Sequence, residues 1–195
     1  MDCGLWTVGG EAEQWSATRS GGFRHQSGDG DVGCCGNNVG GRGDADRIAV
    51  LDEDDDRGTD GEAPADAVNP RNENKNGQVL EMTDDHTGTE FTWELLLVCG
   101  DPAAADTYYG GFDKTKVSPI SCPDNLAFDN HGNLWISTDG NALKSNDGLF
   151  YVGTDGKNRG EVKQFLTVPK GAETCGPIVT ENRVLVSVQH PGELE

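Results

Sequence analysis

The sequence predicts an all-β fold, a partial β-propeller of about two and a half four-stranded blades. Two observations carry this prediction. From Gly77 onward, short apolar runs alternate with turns rich in Gly, Asn and Asp. One strand-turn-strand pattern then recurs, with Asn130 aligning to Glu181 at a period of 51 residues.

The best-defined unit begins at the strand-like run Leu126-Ala-Phe-Asp129 and turns at Asn130-His-Gly-Asn133 into Leu134-Trp-Ile-Ser137. After the loop from Asn141 to Gly148 come Leu149-Phe-Tyr-Val152, the turn Thr154 to Gly160 and the strand Glu161 to Val168. These make four antiparallel strands in succession. The pattern restarts with Cys175-Gly-Pro-Ile178, the turn Glu181-Asn-Arg183 and Val184-Leu-Val-Ser187. Upstream, Gly77-Gln-Val-Leu80, the turn Asp84 to Gly88 and Glu90 to Val98 repeat the third and fourth strands of the central unit. Such units at about 40 to 50 residues mark a propeller, which needs roughly four to eight blades to close. The chain therefore reads as a fragment or sector. Residues 1–65 form a poorly patterned acidic and Gly-rich segment, read as disordered or as a degraded blade, and residues 66–195 carry the propeller strands. The spaced carboxylates Asp52, Asp54 and Asp56 lack the Gly and Glu positions of a helix-loop-helix calcium loop and read as a solvated loop.

Composition excludes several classes of function. With 34 acidic and 15 basic residues the net charge is −19, so nucleic acid is not an expected partner. This acidity suits bound divalent cations or a carboxylate surface adapted to high salt. The six cysteines show no CxxC pair and no zinc-finger spacing. No stretch approaches the roughly 18 apolar residues of a membrane span, and Met1 is not followed by a basic, apolar export signal.

Propeller topology sorts the polar clusters. Loops entering a first strand and loops joining second to third strands share one face. Asp124 and Asn125 enter a first strand, as do Glu173 and Thr174; Asp139 follows a second strand, as do Gln189, His190 and Glu193; Asn69-Pro-Arg71 precedes a third strand. All fall on one face, whereas the 130–133 and 155–160 turns fall on the other and read as ordinary turn chemistry. Carboxylates and amides are hard oxygen donors suited to calcium or magnesium. Arg71 offers a planar fork for phosphate, although a lone Arg is also a common surface ion-pair partner.

These residues carry a family resemblance. Asp66-Ala-Val-Asn-Pro-Arg71, then Pro123 to Asp129 with Gly132-Asn-Leu-Trp-Ile136 and Thr138-Asp-Gly140, Arg159-Gly-Glu-Val162, Glu173-Thr-Cys-Gly-Pro177 and Gln189-His-Pro-Gly-Glu193 together resemble the PhoX-type alkaline phosphatases over residues 66–193. The resemblance implies a six-bladed propeller that is exported, hence periplasmic or extracellular, and hydrolyses small-molecule phosphate monoesters at a channel-mouth site holding calcium and iron. It implies Asp124, Asp139 and Glu173 as calcium-site carboxylates and Arg71 as a phosphate contact, with Asn69, Asn125, His190 and Glu193 near the site. The cysteine motif that binds iron in the family has no counterpart in this sequence. Two alternatives stay open: a calcium-dependent lactonase-like propeller, which shares the Leu126 to Trp135 phrase, and a non-catalytic propeller sector acting as an interaction module. The Asn-Pro-Arg and His-Pro-Gly-Glu motifs speak against the lactonase.

Overall fold

The computed structural model describes residues 65, 67–72, 74–83, 92–140 and 142–191, together with the backbone of four short strands nearer the N-terminus. All regular elements are strands apart from two single 3-10 turns, at Lys114–Lys116 and Gly156–Asn158. The strands are β1 (Thr7–Gly9), β2 (Ser16–Thr18), β3 (Val39–Gly41), β4 (Arg47–Asp52), β5 (Gln78–Thr83), β6 (Thr92–Val98), β7 (Tyr108–Tyr109), β8 (Pro123–Phe128), β9 (Leu134–Thr138), β10 (Gly148–Val152), β11 (Val162–Thr167), β12 (Glu173–Val179) and β13 (Val184–Gln189).

They form antiparallel sheets whose neighbours in space are neighbours in sequence. One runs β3-β4-β5-β6-β7, one runs from β8 to β11 in order, and β1-β2 and β12-β13 are two-stranded hairpins. The up-and-down order follows from the turns. Asp129 closes the β8–β9 turn, its Oδ1 accepting from the backbone of His131 and Asn133 at 2.9 and 3.0 Å. Gly132 there has φ +81°, a left-handed conformation that costs glycine little. Every strand expected from the sequence after Gly77 is present, within a few residues at each end. The sheet also extends backwards, because β4 pairs with β5 along its whole length from Arg47↔Thr83 to Asp52↔Gln78. The strands expected as third and fourth of an upstream unit thus have two more before them. Apart from the backbone of β1 to β4 and residue 65, the 1–65 segment lies outside the described residues.

Both faces of the middle strands are covered. β9 is buried at every position and β10 at all but Tyr151, the continuous burial of sheet packed on two sides. One core joins the two larger sheets: Val79, Leu96, Leu97 and Tyr109 pack with Leu134, Ile136, Phe150, Val152 and Val162. At about 1.5–3 kcal/mol for each large apolar side chain removed from water, this is the main adhesive between them. β12 packs on β8 and β9, while β13 is exposed at Leu185 and Val188.

A polar clamp fixes the same pair of sheets. Arg159, in the turn before β11, donates through Nη1 to Glu81 on β5 and to Thr154 O, and its Nη2 lies 2.9 Å from Glu94 Oε1 on β6. The adjacent Gly160 is required by close approach, since a Cβ there would stand 1.8 Å from Tyr109 O.

Candidate functional site

Three of the expected carboxylates converge at one end of the β8-β9-β12 group. Asp124 lies in β8 itself rather than in the loop before it, within an irregular stretch where the β8–β9 register shifts between Pro123 and Leu126. A matching irregularity lies in β12 between Cys175 and Ile178. Such bulges redirect side chains next to functional sites. Asp124 is buried, and burial together with the nearby charges of Asp139 and Glu173 pushes its carboxyl up to about 7. Glu173, the first residue of β12, is raised as well, by burial and then by Asp139, with His190 opposing.

Asp139 follows β9 directly. Its backbone N–H donates to Cys122 O at 3.0 Å, tying it to the residue before β8. The next residue, Gly140, has φ +139°, and a Cβ there would meet Cys122 Sγ at 2.7 Å. Only glycine lets the chain turn this closely over Cys122.

Glu173 is held from β13. Gln189 Nε2 donates to Glu173 Oε2 at 2.9 Å, and His190 Nε2 stands 3.8 Å from Glu173 Oε1. His190 adopts φ +50°, an uncommon backbone for a residue with a side chain. Glu193 lies outside the described residues.

A fourth carboxylate, Asp147, belongs to this group and was not singled out in the sequence. Its Oδ1 accepts from Thr138 Oγ1 at 2.7 Å and from Gly140 N at 3.1 Å. Burial and Asp139 raise its carboxyl, against the lowering effect of those two donors. The topological rule applied to the sequence contained the signal, because Asp147 stands at the far end of the same loop that Asp139 begins.

Arg71 and Asn69 belong to a buried amide network beside this end. Arg71 Nη2 donates to Asn74 Oδ1 and to Cys99 O, each at 2.6 Å, and Nη1 lies 3.6 Å from Asp106 Oδ2. Asn74 Nδ2 donates to Asn69 Oδ1 at 2.9 Å and to Gln78 Oε1 at 2.5 Å. The network reaches the carboxylates through Cys122, whose backbone N–H donates to Asn76 O at 3.0 Å. One edge of the Arg71 fork is thus committed to the fold. Asn125 is also engaged: its Oδ1 accepts from Gly176 N at 2.8 Å.

The two turns assigned to the opposite face behave as turn-formers. Asp129 accepts from Asn133 and from Trp135 Nε1, and Thr154 Oγ1 donates to Gly132 O at 2.7 Å, linking the two turns.

The donor set is hard oxygen, and carboxylates raised by one another are the electrostatic condition a divalent cation relieves. Among the described residues, no three His, Cys, Asp or Glu side chains stand close enough to hold a metal ion by themselves. Two of the described thiols are poor ligands for iron: Cys99 is wholly buried and its thiol is pushed up to about 12 by burial, and Cys122 is buried as well, while Cys175 is half-buried.

Comparison with known proteins now bears on this arrangement. The family model described as alkaline phosphatase PhoX matches residues 25–192. A solved structure, Pseudomonas fluorescens PhoX in complex with vanadate, a transition state analogue, is similar at 30% sequence identity with a TM-score of 0.59. That match covers 75% of this chain and 27% of the other, so this chain spans little more than a quarter of its relative. Curated protein sequences give no match. With a family match running through nearly all of β3 to β13 and the candidate carboxylates, the chain belongs to the alkaline phosphatase PhoX family.

Proposed function

We propose that the chain contributes the calcium-binding carboxylates of a phosphate-monoester hydrolase, on a sector of a β-propeller. The observation that carries this reading is the approach of three carboxylates contributed by β8, the end of β9 and β12: the charges of Asp139 and Glu173 act on buried Asp124, and that of Asp139 on Glu173, on top of burial. The up-and-down sheets sharing one core and the recurrence of the strand pattern after 51 residues support the propeller sector.

Asp124, Asp139 and Glu173 would each offer an oxygen to calcium; the three do not hold an ion by themselves as they stand, and further oxygen donors would come from outside this group. When bound, the cation would polarise phosphoryl oxygens and neutralise charge as the leaving oxygen departs. The chain's own residues prepare for that. Burial of Asp124 removes competing water, the Gln189 amide orients Glu173, and the bond from Asp139 N to Cys122 O fixes where the Asp139 side chain starts. Arg71 would reach a phosphoryl oxygen through Nη1, which stands 3.6 Å from Asp106, since Nη2 is held by Asn74 and Cys99 and Nε is buried. Iron stays outside this proposal. The family context implies an exported protein acting on small phosphate esters, and no helix among the described residues is long and apolar enough to cross a membrane.

The test is release of p-nitrophenol from p-nitrophenyl phosphate by the full-length gene product, with calcium and with EDTA. Calcium-dependent activity that Asp124→Asn abolishes is the expected result. Undiminished activity in that variant removes the site assignment, and lactone hydrolysis without phosphatase activity favours the lactonase-like alternative.

A further inference from the structure

We propose that Asp147 is a positioning residue for Asp139, an assignment that rests on reading Asp139 as a calcium-site carboxylate. The bonds around Asp139 carry it. Asp147 Oδ1 accepts from Thr138 Oγ1 at 2.7 Å and from Gly140 N at 3.1 Å, the residues on either side of Asp139. The Thr138 hydroxyl, having donated its proton to Asp147, accepts from Gly148 N at 3.1 Å, which sets its direction. Asp139 N donates to Cys122 O at 3.0 Å. Three consecutive residues are therefore pinned, and two of the three pins end on one oxygen of Asp147.

Asp147 is itself anchored. Its backbone carbonyl accepts from Val168 N at 2.9 Å and from Thr167 Oγ1 at 3.1 Å, at the end of β11. The position of Asp139 is thus referred to the outer strand of the sheet rather than left to the nine-residue connection between β9 and β10. The open φ of Gly140 makes this support necessary, because glycine restricts its own backbone least. Outer-layer groups that orient a ligand typically matter by about 10–100-fold in metal affinity when removed.

The chemistry of the contact separates positioning from direct ligation. Both bonds to Asp147 need an acceptor oxygen at Oδ1 and no charge, so an asparagine side chain can make them. A residue that held calcium by its charge would not tolerate that change.

The experiment is calorimetric titration of the full chain with calcium, for the unmodified protein, Asp139→Asn, Asp147→Ala, Asp147→Asn and Thr138→Val, with near-ultraviolet circular dichroism as a check of folding. The expected result is about 10–100-fold weaker binding in Asp147→Ala and binding within about threefold of the unmodified protein in Asp147→Asn. Thr138→Val, which keeps the side-chain shape and loses the hydroxyl, should weaken binding too, and it carries the test if Asp147→Ala does not fold. Asparagine as damaging as alanine overturns the proposal in favour of a charge role. Unchanged affinity in both Asp147→Ala and Thr138→Val overturns it outright. Should Asp139→Asn leave calcium binding unchanged, the calcium reading of Asp139 fails, and this proposal with it.

Discussion

Asn125 Oδ1 accepts a hydrogen bond from the backbone N–H of Gly176 at 2.8 Å, joining residues 51 positions apart. The separation equals the repeat period read from the sequence, so equivalent positions of successive units touch, each inside the irregular stretch of its strand. The bond ties the β12-β13 hairpin to β8 beside Asp124 and Glu173. Removing it in Asn125→Ala should cost roughly 1–2 kcal/mol. Hydrogen exchange should show faster exchange in β12 and β13 and little change in β9 and β10.

The clamp between the two larger sheets should matter more. Arg159→Ala takes the guanidinium away from Glu81, whose side chain is only 8% exposed, and breaking a buried ion pair costs about 3 kcal/mol. Glu94 is 66% exposed on the other arm of the same guanidinium, so Glu94→Gln should cost less than about 1 kcal/mol. Denaturant unfolding of the two variants checks the contrast; equal losses would mean that the buried arm does not hold the sheets together.

Gly160 should tolerate no side chain. It sits at φ +79°, and a Cβ would fall 1.8 Å from Tyr109 O and 2.8 Å from Gly110 Cα. Backbone cannot move aside as a flexible side chain can, so Gly160→Ala should destabilise on the order of 3 kcal/mol or more. Gly156 also has positive φ but has open space around it, so Gly156→Ala should cost only about 1 kcal/mol for its backbone conformation. Thermal unfolding of the pair separates close approach from conformational strain.

Asp129 gives a pH dependence. Burial raises its carboxyl, but the bonds from Asn133, Trp135 and His131 outweigh burial and hold it below the usual carboxylate range. A group whose folded pKa is depressed contributes stability above its unfolded pKa of about 3.9 and loses it as pH falls through the folded value. Asp129→Asn should therefore be less stable than the unmodified chain at pH 7, by roughly 1 kcal/mol given its partial exposure. The gap should narrow as pH falls below about 4. A gap independent of pH would assign the loss to geometry rather than charge.

Most of the fold after Gly77 was legible because local signals agree there. The strand-like run Leu134 to Ser137 and the Asn130 to Asn133 turn each point to the hairpin that forms, although β9 is buried at every position rather than at alternate ones. Strand edges were less legible. Asp124 and Glu173 look like loop residues next to Pro, Asn and Thr, yet both lie within strands: Asp124 in the irregular stretch of β8 and Glu173 paired with Gln189 at the start of β12. β3 and β4 were hard to place in the Gly- and Asp-rich region before Gly77, where the apolar run of β4 is short and its partners β3 and β5 flank it on either side. For the site, topology alone grouped Asp124, Asp139 and Glu173. It did not reveal that Arg71 Nη2 is spent on Cys99 O, because a contact across 28 residues leaves no local trace. Asp147 was missed because Ser145-Asn-Asp-Gly148 reads as turn chemistry, and its two acceptor bonds depend on how the 138–140 segment folds back.

The most direct test of the central claim is calcium affinity measured by titration calorimetry on the full chain and on Asp124→Asn, at a pH above 8, where Asp124, pushed up to about 7, is ionised. EDTA-reversible binding is expected, weakening by at least about tenfold when one buried carboxylate ligand is neutralised. Equal affinity in the two proteins would contradict it.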